Sequence, residues 1–391
     1  MSPRGRRSLR ALAAGVILAV AAWAPPARAS GLRSPELRGS DLHSPDHPLG
    51  PLRFGGSVEL RFGDDRINGV SNTNWFSFSR INGFATAPLG SWIQVAAQGS
   101  WDRTMDDFTL ERAEAVARLA PTLRAHAGIF LAPLGRSNLA HDAPRDEFSE
   151  PSLVATGLVG VPNAELGAGV RGEARRTKAW PFTYEVDLVT GYDDGLIYDA
   201  PGGTRLPSGR NNYGDKNGVP AVAARVAFHP SPRTELGLAG QSGIYNETTI
   251  GGVTIDRSRW VHLIVADGAT ERSRFRVEGE AAVARIDVPP GLEALFAESQ
   301  RGAALSVART LLDPLLRSWK DVSLTGALRG DAVDFDTRIR GDSRTRLSAS
   351  LNVRYRAFAV TRFGWYYEHR RDRFNNDTSV AGMTVSAASY F

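Results

Sequence analysis

The chain has 391 residues, with 47 Lys and Arg against 42 Asp and Glu, and it contains no cysteine. The absence of thiols excludes disulfides, thiolate catalysis and cysteine-ligated metal sites. Five of the arginines precede residue 30, which leaves 42 basic against 42 acidic residues after it, so a general interaction with nucleic acid is not expected. Forty glycines and few long helical patterns predict an all-β chain with many turns.

The first 29 residues have the three parts of a secretory signal peptide. Four arginines lie within residues 4–10, residues 11–23 are apolar, and residues 27–29 form an A-x-A cleavage pattern. The apolar run is shorter than the roughly 18 residues of a membrane-spanning helix. We therefore expect residues 1–29 to direct export and residues 30–51, rich in Pro, Ser, His and charge, to be a flexible lead-in.

Sixteen later segments have the two-residue period of β-strands. In residues 164–175, Leu166 and Val170 share a face with small residues, whereas Arg171 and Glu173 share the other face. Apolar groups on one face and charges on the other fit a strand between lipid and water. The predicted strands are residues 52–62, 75–85, 91–102, 108–119, 122–131, 164–175, 182–192, 219–229, 234–245, 256–267, 272–285, 301–312, 317–329, 344–356, 357–370 and 379–391.

The connections between these strands alternate between long and short. Residues 64–74, 133–162 and 193–217 are predicted loops, whereas residues such as 230–232 form tight turns. Outer-membrane barrels have this asymmetry, with short turns at one end and longer loops at the other. We predict a single domain over residues 52–391: an all-β, transmembrane antiparallel β-barrel of about 16 strands.

The loop of residues 133–162 is far longer than an ordinary hairpin loop. A long loop at this place in a barrel is expected to fold inward and narrow the lumen, as a constriction loop. Its predicted functional residues are its charged ones: Arg136, Asp142, Arg145, Asp146, Glu147 and Glu150.

Three short segments around this loop resemble a known family. Residues 124–135 read RAHAGIFLAPLG, residues 146–150 read DEFSE, and residues 167–172 read GAGVRG. They are similar to the strand, the long loop and the following strand of the phosphate-selective porin O/P family. The resemblance implies a sixteen-stranded porin, usually trimeric, whose constriction loop connects the fifth and sixth strands. Phosphate-selective members have lysine-rich pores, and this chain has three lysines, so phosphate selectivity is not carried over.

Charged residues on the faces opposite the apolar ones are the candidate lumen wall. Arginines there would raise the local concentration of anions, and acids on the constriction loop facing them would create a transverse field. The alternative, that the arginines pair with neighbouring acids and only hydrate the wall, remains open. The predicted pore-lining residues are Arg124, Arg171, Glu173, Arg175, Arg272, Arg274, Arg276, Arg344, Arg346, Arg354 and Arg356.

These patterns predict an outer-membrane porin for passive diffusion of small hydrophilic solutes or ions, with a mild preference for anions. A barrel transporter for a specific or lipidic substrate remains an alternative, and so does an outer-membrane barrel hydrolase. For the hydrolase, the one candidate is His141 beside Asp142, with Ser137 and Asn138 nearby, and no lipase signature accompanies it. We expect no enzymatic activity, no cofactor and no metal site.

The last predicted strand ends on Tyr390 and Phe391. A terminal aromatic residue is typical of the signature by which outer-membrane barrels are recognised for assembly. The expected partners are therefore the barrel assembly machinery through Phe391, outer-membrane lipid, and small hydrophilic solutes or anions. A homotrimer is implied by the family resemblance.

Overall fold

A computed structural model describes residues 53–102, 107–175, 181–197, 203–210, 213–215, 217–250, 252–356 and 358–391. For residues 72–79, 102, 107, 175 and 250 it describes the backbone alone. The predicted signal peptide and lead-in lie outside the described residues. No helix within the described part of the chain is long and apolar enough to cross a membrane.

The described residues contain eighteen strands and one α-helical turn, α1 (Arg136–Leu139). The strands are β1 (Arg53–Ile67), β2 (Val70–Leu89), β3 (Ile93–Asp102), β4 (Asp107–Ala120), β5 (Leu123–Leu131), β6 (Ala164–Arg175), β7 (Pro181–Val189), β8 (Ala221–Ser231), β9 (Thr234–Ile244), β10 (Thr249–Ile250), β11 (Val253–Thr254), β12 (Trp260–Arg272), β13 (Phe275–Ile286), β14 (Ser299–Leu312), β15 (Val322–Asp334), β16 (Ser343–Tyr355), β17 (Ala359–Arg371) and β18 (Asp377–Tyr390).

Sixteen of these strands form one closed antiparallel barrel, and β10 and β11 form a separate hairpin in the loop between β9 and β12. Every barrel strand pairs with its neighbours along the chain, and β1 closes the barrel by pairing with β18. Closure removes the sheet edges, so the described strands leave no row of unpaired backbone groups. The predicted sixteen-stranded antiparallel barrel is confirmed.

Apolar side chains lie on the outer face of the barrel, and polar ones face its interior. Leu238, Ile264 and Leu347 are exposed outside, whereas Glu59 and Arg362 are buried inside. The period of two in each strand produces this division, because successive side chains point to opposite faces. An apolar outer surface around a polar interior is the arrangement of a barrel whose outside meets lipid.

The longest connections share one end of the barrel. Residues 132–163, 190–220 and 245–259 connect strands at that end, whereas two-residue turns such as 232–233 and 273–274 lie at the other end. The predicted loop of residues 64–74 is wrong. β1 and β2 pair through that stretch and turn at Asn68 and Gly69, whose φ angles are 50° and 83°. Asn-Gly is the preferred pair for a tight hairpin because both residues tolerate positive φ.

Three predicted strands begin at least three residues later than expected. The strand predicted at residues 256–267 is β12, and the strand predicted at residues 317–329 is β15, which follows a connection of residues 313–321. The shift of β12 moves the next turn to Ser273 and Arg274. Consequently the predicted strand of residues 272–285 begins only at Phe275, which changes the positions of two predicted pore residues.

An apolar cluster lies inside the barrel, between its wall and two inward-folded loops. Leu153 and Leu158 of the loop between β5 and β6 pack with Val261 and Leu263 of β12. The loop between β7 and β8 adds three further buried side chains, Tyr192, Leu196 and Leu206. Burying each Leu or Val side chain contributes about 1.5–3 kcal/mol, so this cluster holds the loops inside the lumen. The predicted inward-folded loop is thereby confirmed.

Candidate functional site

The candidate site is the loop of residues 132–163, called the lumen loop below, together with the wall that it touches. Its first contact is with β13. The Ser137 backbone N–H and Oγ both donate to the Glu280 carboxylate, at 3.1 and 2.7 Å. Gly135, with φ of 84°, permits this approach, because a Cβ there would lie 2.7 Å from a Glu280 carboxylate oxygen. Arg136 adds ion pairs to Glu278 and Glu235, at 3.6 and 3.7 Å.

Two fully buried asparagines fasten the ends of the lumen loop to each other. Asn138 Nδ2 donates to the carbonyls of Ala132 and Asn163, at 2.7 and 2.9 Å. In return the Asn163 backbone N–H donates to Asn138 Oδ1, at 2.7 Å. These bonds satisfy backbone groups that would otherwise be buried without partners, so they fix the width of the loop where it enters and leaves the lumen.

His141 connects the lumen loop to β4. Its Nδ1 donates to the Asn138 carbonyl at 2.8 Å, and its Nε2 lies 3.0 Å from Glu111 Oε2. Both partners accept, so both ring nitrogens donate and the ring is positively charged. Burial opposes that charge, but the Glu111 carboxylate outweighs burial and raises the pKa of His141. Glu111 faces the lumen because a β-bulge in β4 adds one residue between Leu110 and Arg112. The inward and outward alternation of the strand is interrupted there.

Arginines of β16 and β17 bind the backbone of the lumen loop. Arg354 donates to the carbonyls of Pro144, Arg145 and Asp146, at 3.0, 3.2 and 3.0 Å. Arg362 donates to the carbonyl of Asp146 at 3.0 Å and also to that of Ala143. The five N–H donors of a guanidinium suit it to holding several carbonyls at once.

Three more arginines hold the next stretch of the lumen loop. Arg329 of β15 donates to the carbonyls of Glu150 and Pro151, at 2.8 and 3.1 Å, and Arg346 of β16 also donates to Pro151. Arg61 of β1 donates to the carbonyl of Ser149 at 3.0 Å and pairs with the Glu150 carboxylate at 2.6 Å. Together, Arg61, Arg329, Arg346, Arg354 and Arg362 are called the arginine clamp.

The loop carboxylates contact the wall arginines directly. Glu147 lies 3.0 Å from Arg354 and 3.6 Å from Arg276, and it accepts a 2.6 Å hydrogen bond from Asn352. These acids form ion pairs with arginines of the wall rather than facing them across a gap.

Asp146 has a different environment from the other loop acids. Its side chain is half-buried, near Arg362, Arg80 and Glu59 of the wall and His141 of the lumen loop. Burial raises the pKa of Asp146 to about 7, and the nearby charges of Arg362 and Arg80 oppose the rise only in part. Asp146 therefore changes charge near neutral pH. Asp142 and Arg145, which complete the predicted loop set, lie 4.0 Å apart as a weak pair.

Most of the predicted pore-lining residues lie on the inner face of the barrel. Arg276, Arg346 and Arg354 contact the lumen loop or its acids. Arg344 stacks at 5.8 Å on Phe335, which belongs to the interior apolar cluster. Arg171, on β6, pairs with Glu114 at 3.4 Å; Arg124 lies opposite Arg171 in the register, and Glu173 is two residues further along the same face.

Three predicted pore-lining residues lie elsewhere. Arg272 and Arg274 are exposed at the turn between β12 and β13, because that turn comes later in the chain than the alternation suggested. Arg356 lies in the turn after β16 with φ of 52° and pairs with Asp321 at 2.7 Å in solvent. None of the three belongs to the lumen wall. Arg175 ends β6, and its side chain is outside the described part of the structure.

Several residues of the site were not singled out from the sequence. Arg61, Arg329 and Arg362 bind the lumen loop, and the Glu111 carboxylate contacts His141 of that loop. The available signal for Arg329 and Arg362 is a charged face along each strand, which Arg329 shares with Asp331 and Arg362 shares with Glu368. Their partners lie about 180 and 220 positions away in sequence, so no local pattern could identify the contacts.

The residues considered for hydrolase chemistry do not form a catalytic pair. Ser137 Oγ donates to Glu280, whereas His141 is bonded to Asn138 and Glu111. A nucleophile needs its base within hydrogen-bond reach. In this arrangement both side chains instead attach the lumen loop to opposite parts of the wall.

The chain matches no protein-family model and no curated protein. Solved structures of outer-membrane channels are similar in fold. The outer-membrane channel DcaP of Acinetobacter baumannii has a TM-score of 0.56 at 9% identity, covering 87% of this chain and 97% of that one. The anion-selective porin from Comamonas acidovorans has a TM-score of 0.55 at 9% identity, covering 87% and 99%. OprB of Pseudomonas putida has a TM-score of 0.55 at 10% identity, covering 87% and 94%. At this identity the likeness concerns the fold.

Proposed function

We propose that this protein is a porin of the bacterial outer membrane, through which small hydrophilic solutes and ions diffuse passively. The observation that carries the proposal is a closed sixteen-stranded barrel, apolar outside, whose charged interior holds a clamped loop. Solute size would then be limited by the space that the lumen loop leaves, and ion preference by the charges around it. The porins among the similar structures support the same function.

We further propose a mild preference for anions. Three arginines of the clamp bind uncharged carbonyls, which leave the guanidinium charge in place. Asp331 lies between Arg329 and Arg346, at 3.0 and 3.3 Å, Glu368 approaches Arg346 only to 3.9 Å, and Glu59 pairs with Arg362 at 3.1 Å. Because Arg329 and Arg346 share one close carboxylate, positive charge beside that part of the lumen loop is only partly compensated, which raises the local concentration of anions. The remaining ion pairs keep the preference small.

The test is single-channel recording of the refolded protein in a planar bilayer, with the reversal potential measured under a salt gradient. Stepwise conductance with a small potential of the anion-selective sign is expected. A reversal potential of the cation-selective sign would be consistent with the porin function but would contradict the anion preference. Folded, inserted protein without conductance steps would contradict the porin function.

The proposed role needs no catalytic group, because passive diffusion involves no chemical step. No specific contact supports either of the two alternative functions, a transporter for a specific or lipidic substrate and a hydrolase. The separate attachments of Ser137 and His141 disfavour a hydrolase, and the ion pairs along the inner wall disfavour a passage for lipid.

The proposed assembly is a homotrimer in the outer membrane. One of the similar structures, OmpT of Vibrio cholerae, is described as a trimer form (TM-score 0.51, 8% identity). Crosslinking of the protein in detergent, followed by mass measurement, is expected to give a species of three chains. A monomer at every crosslinker concentration would contradict this part of the proposal.

A further inference from the structure

We infer that His126, Glu185 and Asp187 form a binding site for a divalent transition-metal ion such as Zn²⁺ in the inner wall of the barrel. The three side chains come from β5 and β7, and their potential ligand atoms all lie within 4.8 Å of one another. Neither the diffusion of solutes nor the attachment of the lumen loop uses them. The inference is independent of the proposed porin function.

The distances suit a small ion with nitrogen and oxygen ligands. His126 Nε2 lies 2.9 Å from Asp187 Oδ1 and 3.7 Å from Glu185 Oε1. Ligand atoms that bind Zn²⁺ tetrahedrally at about 2.0–2.1 Å are about 3.3 Å apart. Of the two observed separations, 2.9 Å is somewhat shorter than this distance and 3.7 Å is somewhat longer. One imidazole and two carboxylates leave a fourth position for water.

A glycine provides the space in which these groups meet. Gly169 of β6 is the register partner of both His126 on β5 and Asp187 on β7, so the three residues form one row across the sheet. A Cβ at Gly169 would lie 1.8 Å from Asp187 Oδ1. Any other residue at this position would displace the carboxylate. The wall is therefore built so that the imidazole and the carboxylate lie over the glycine.

The second nitrogen of His126 faces a carboxylate that could orient the ring. Nδ1 lies 3.4 Å from Glu114 Oε2, and a carboxylate behind a metal-binding histidine holds the ring with its other nitrogen free to bind the ion. The ring of Phe130, 4.5 Å away and tilted by 57°, packs against the imidazole. The ring plane is thus set by neighbouring groups, and Glu114 is placed to accept from Nδ1 when Nε2 binds the ion.

Charge and hydrogen bonding leave room for a cation. Glu114, Glu185 and Asp187 outnumber the two nearby guanidinium groups of Arg112 and Arg171, which contact Glu114. Arg171 approaches Glu185 only to 3.9 Å. Asp187 Oδ2 is buried and has no hydrogen-bond partner among the described residues. Arg225, the register partner of Glu185, is committed to Asp267 and Glu235.

The ion would reach the site from the lumen. The side chains of His126 and Asp187 have no exposed surface, whereas that of Glu185 is 15% exposed on the inner face. Glu185 therefore forms the open side of the site. A bound divalent ion would add positive charge to the wall of β5–β7, and Mg²⁺, which prefers six oxygen ligands, would bind there poorly.

The experiment is Zn²⁺ titration of the full-length folded protein in detergent by calorimetry, with Co²⁺ absorption and X-ray absorption to identify the ligands. We expect one ion per chain, a spectrum typical of four-coordinate nitrogen and oxygen ligands, and no competition from Mg²⁺. His126→Gln and Asp187→Asn should each weaken binding at least tenfold. The control His262→Gln changes an exposed histidine on the outer face and should leave affinity unchanged.

Two further measurements separate this site from other histidines and from misfolding. The double variant His43→Gln/His47→Gln should retain the ion, because those residues lie in the lead-in. X-ray absorption of the unmodified protein should report a single imidazole ligand, and this needs no variant to fold. Absence of saturable binding, or binding that survives both His126→Gln and Asp187→Asn, would overturn the inference.

Discussion

Arg362 illustrates what a charged residue does inside this barrel. Its side chain has no exposed surface, and it donates to the carbonyls of Ala143 and Asp146, to Ser386 and to Glu59. A buried guanidinium is tolerated only when its donors are satisfied. Arg362 therefore mainly attaches the lumen loop to the wall. Because this position is inside the barrel, its charge also contributes to the electrostatic field of the lumen.

Replacing Arg362 by Gln should loosen the lumen loop. A shorter amide cannot reach both carbonyls, and each buried polar group left without a partner costs about 1–3 kcal/mol. We expect noisier single-channel current and faster amide exchange in residues 140–150 than in the unmodified protein.

The matched control for Arg362→Gln is Arg309→Gln. Arg309 lies on β14 at an exposed position and stacks on Phe275, at 5.1 Å. Its loss should leave both readouts unchanged. Equal current noise in Arg362→Gln and the unmodified protein would mean that the clamp does not restrain the loop.

Asp146 should make ion preference depend on pH. Its pKa is raised to about 7, so the carboxyl is neutral below that pH and negative above it. The charged groups around it are Arg362, Arg80, Glu59 and His141. Titration of Asp146 therefore changes the net charge of this group of residues. We expect the preference for anions to strengthen as the pH falls from 8 to 6, measured by reversal potential.

Asp146→Asn should remove most of this pH dependence and give, at pH 8, the stronger anion preference that the unmodified protein has at pH 6. Asp377→Asn is a suitable control, because Asp377 is exposed at the start of β18. An unchanged pH dependence in Asp146→Asn would assign the titration to another group.

The lumen loop as an element is held in two different ways. One half is attached by polar contacts, which run from the hydrogen bond of Ser137 with Glu280 on β13 to the ion pair of Glu150 with Arg61 on β1. The other half packs its apolar side chains against β12 and against Phe335. The polar contacts reach from β13, at Ser137, to β4, at His141, so the loop crosses the lumen between these two parts of the wall. That crossing is what makes it a candidate constriction.

Leu158→Ala tests the apolar attachment. Leu158 is fully buried in the interior cluster, and truncating a buried leucine costs about 2–5 kcal/mol. We expect local loosening, seen as faster amide exchange in residues 153–163 and more frequent changes of conductance level, with the barrel itself still folded.

Leu238→Ala provides the comparison for Leu158→Ala, since Leu238 is exposed on the outer face of β9. It should alter neither exchange in the loop nor conductance. If the two variants behave alike, the apolar cluster does not position the loop.

Local patterns predicted the elements well where the period of two was regular, and less well at turns and bulges. The inner position of Arg171 on β6 followed from alternation alone. Glu111 did not, because the bulge in β4 places two successive residues on the inner face. Asn68 and Gly69 are a hairpin signal in the sequence, but the polar residues around them equally fit a longer loop, so the sequence alone does not distinguish the two.

At the scale of the whole molecule, closure joins the two ends of the barrel chain. Gly56 and Phe391 exchange backbone hydrogen bonds of 3.2 and 3.0 Å, and the β1–β18 register runs from Ser57 to Ile67. The Phe391 side chain is largely exposed outside the barrel. The backbone of Phe391 therefore completes the last pairing, while its ring remains on the outer surface.

Deleting Phe391 should lower the yield of inserted protein in cells. Both the exposed ring, which is the expected signal for the assembly machinery, and two backbone hydrogen bonds are lost. The measurement is the amount of folded protein in outer-membrane fractions, with Phe391→Tyr as the control that keeps a ring and the backbone. Normal yield without Phe391 would show that recognition depends on another feature.

Periodicity and turn residues determined that this chain is a sixteen-stranded barrel, because alternation and turn formation are local properties of the backbone, and the length of the loop of residues 133–162 predicted that it folds inward. Which residues meet inside the barrel was decided by tertiary structure. Arg362 and Ala143 are 219 positions apart, and His126 and Asp187 are 61 apart. Such pairs depend on strand register, on closure and on the path of the lumen loop, each of which is set by contacts between distant segments.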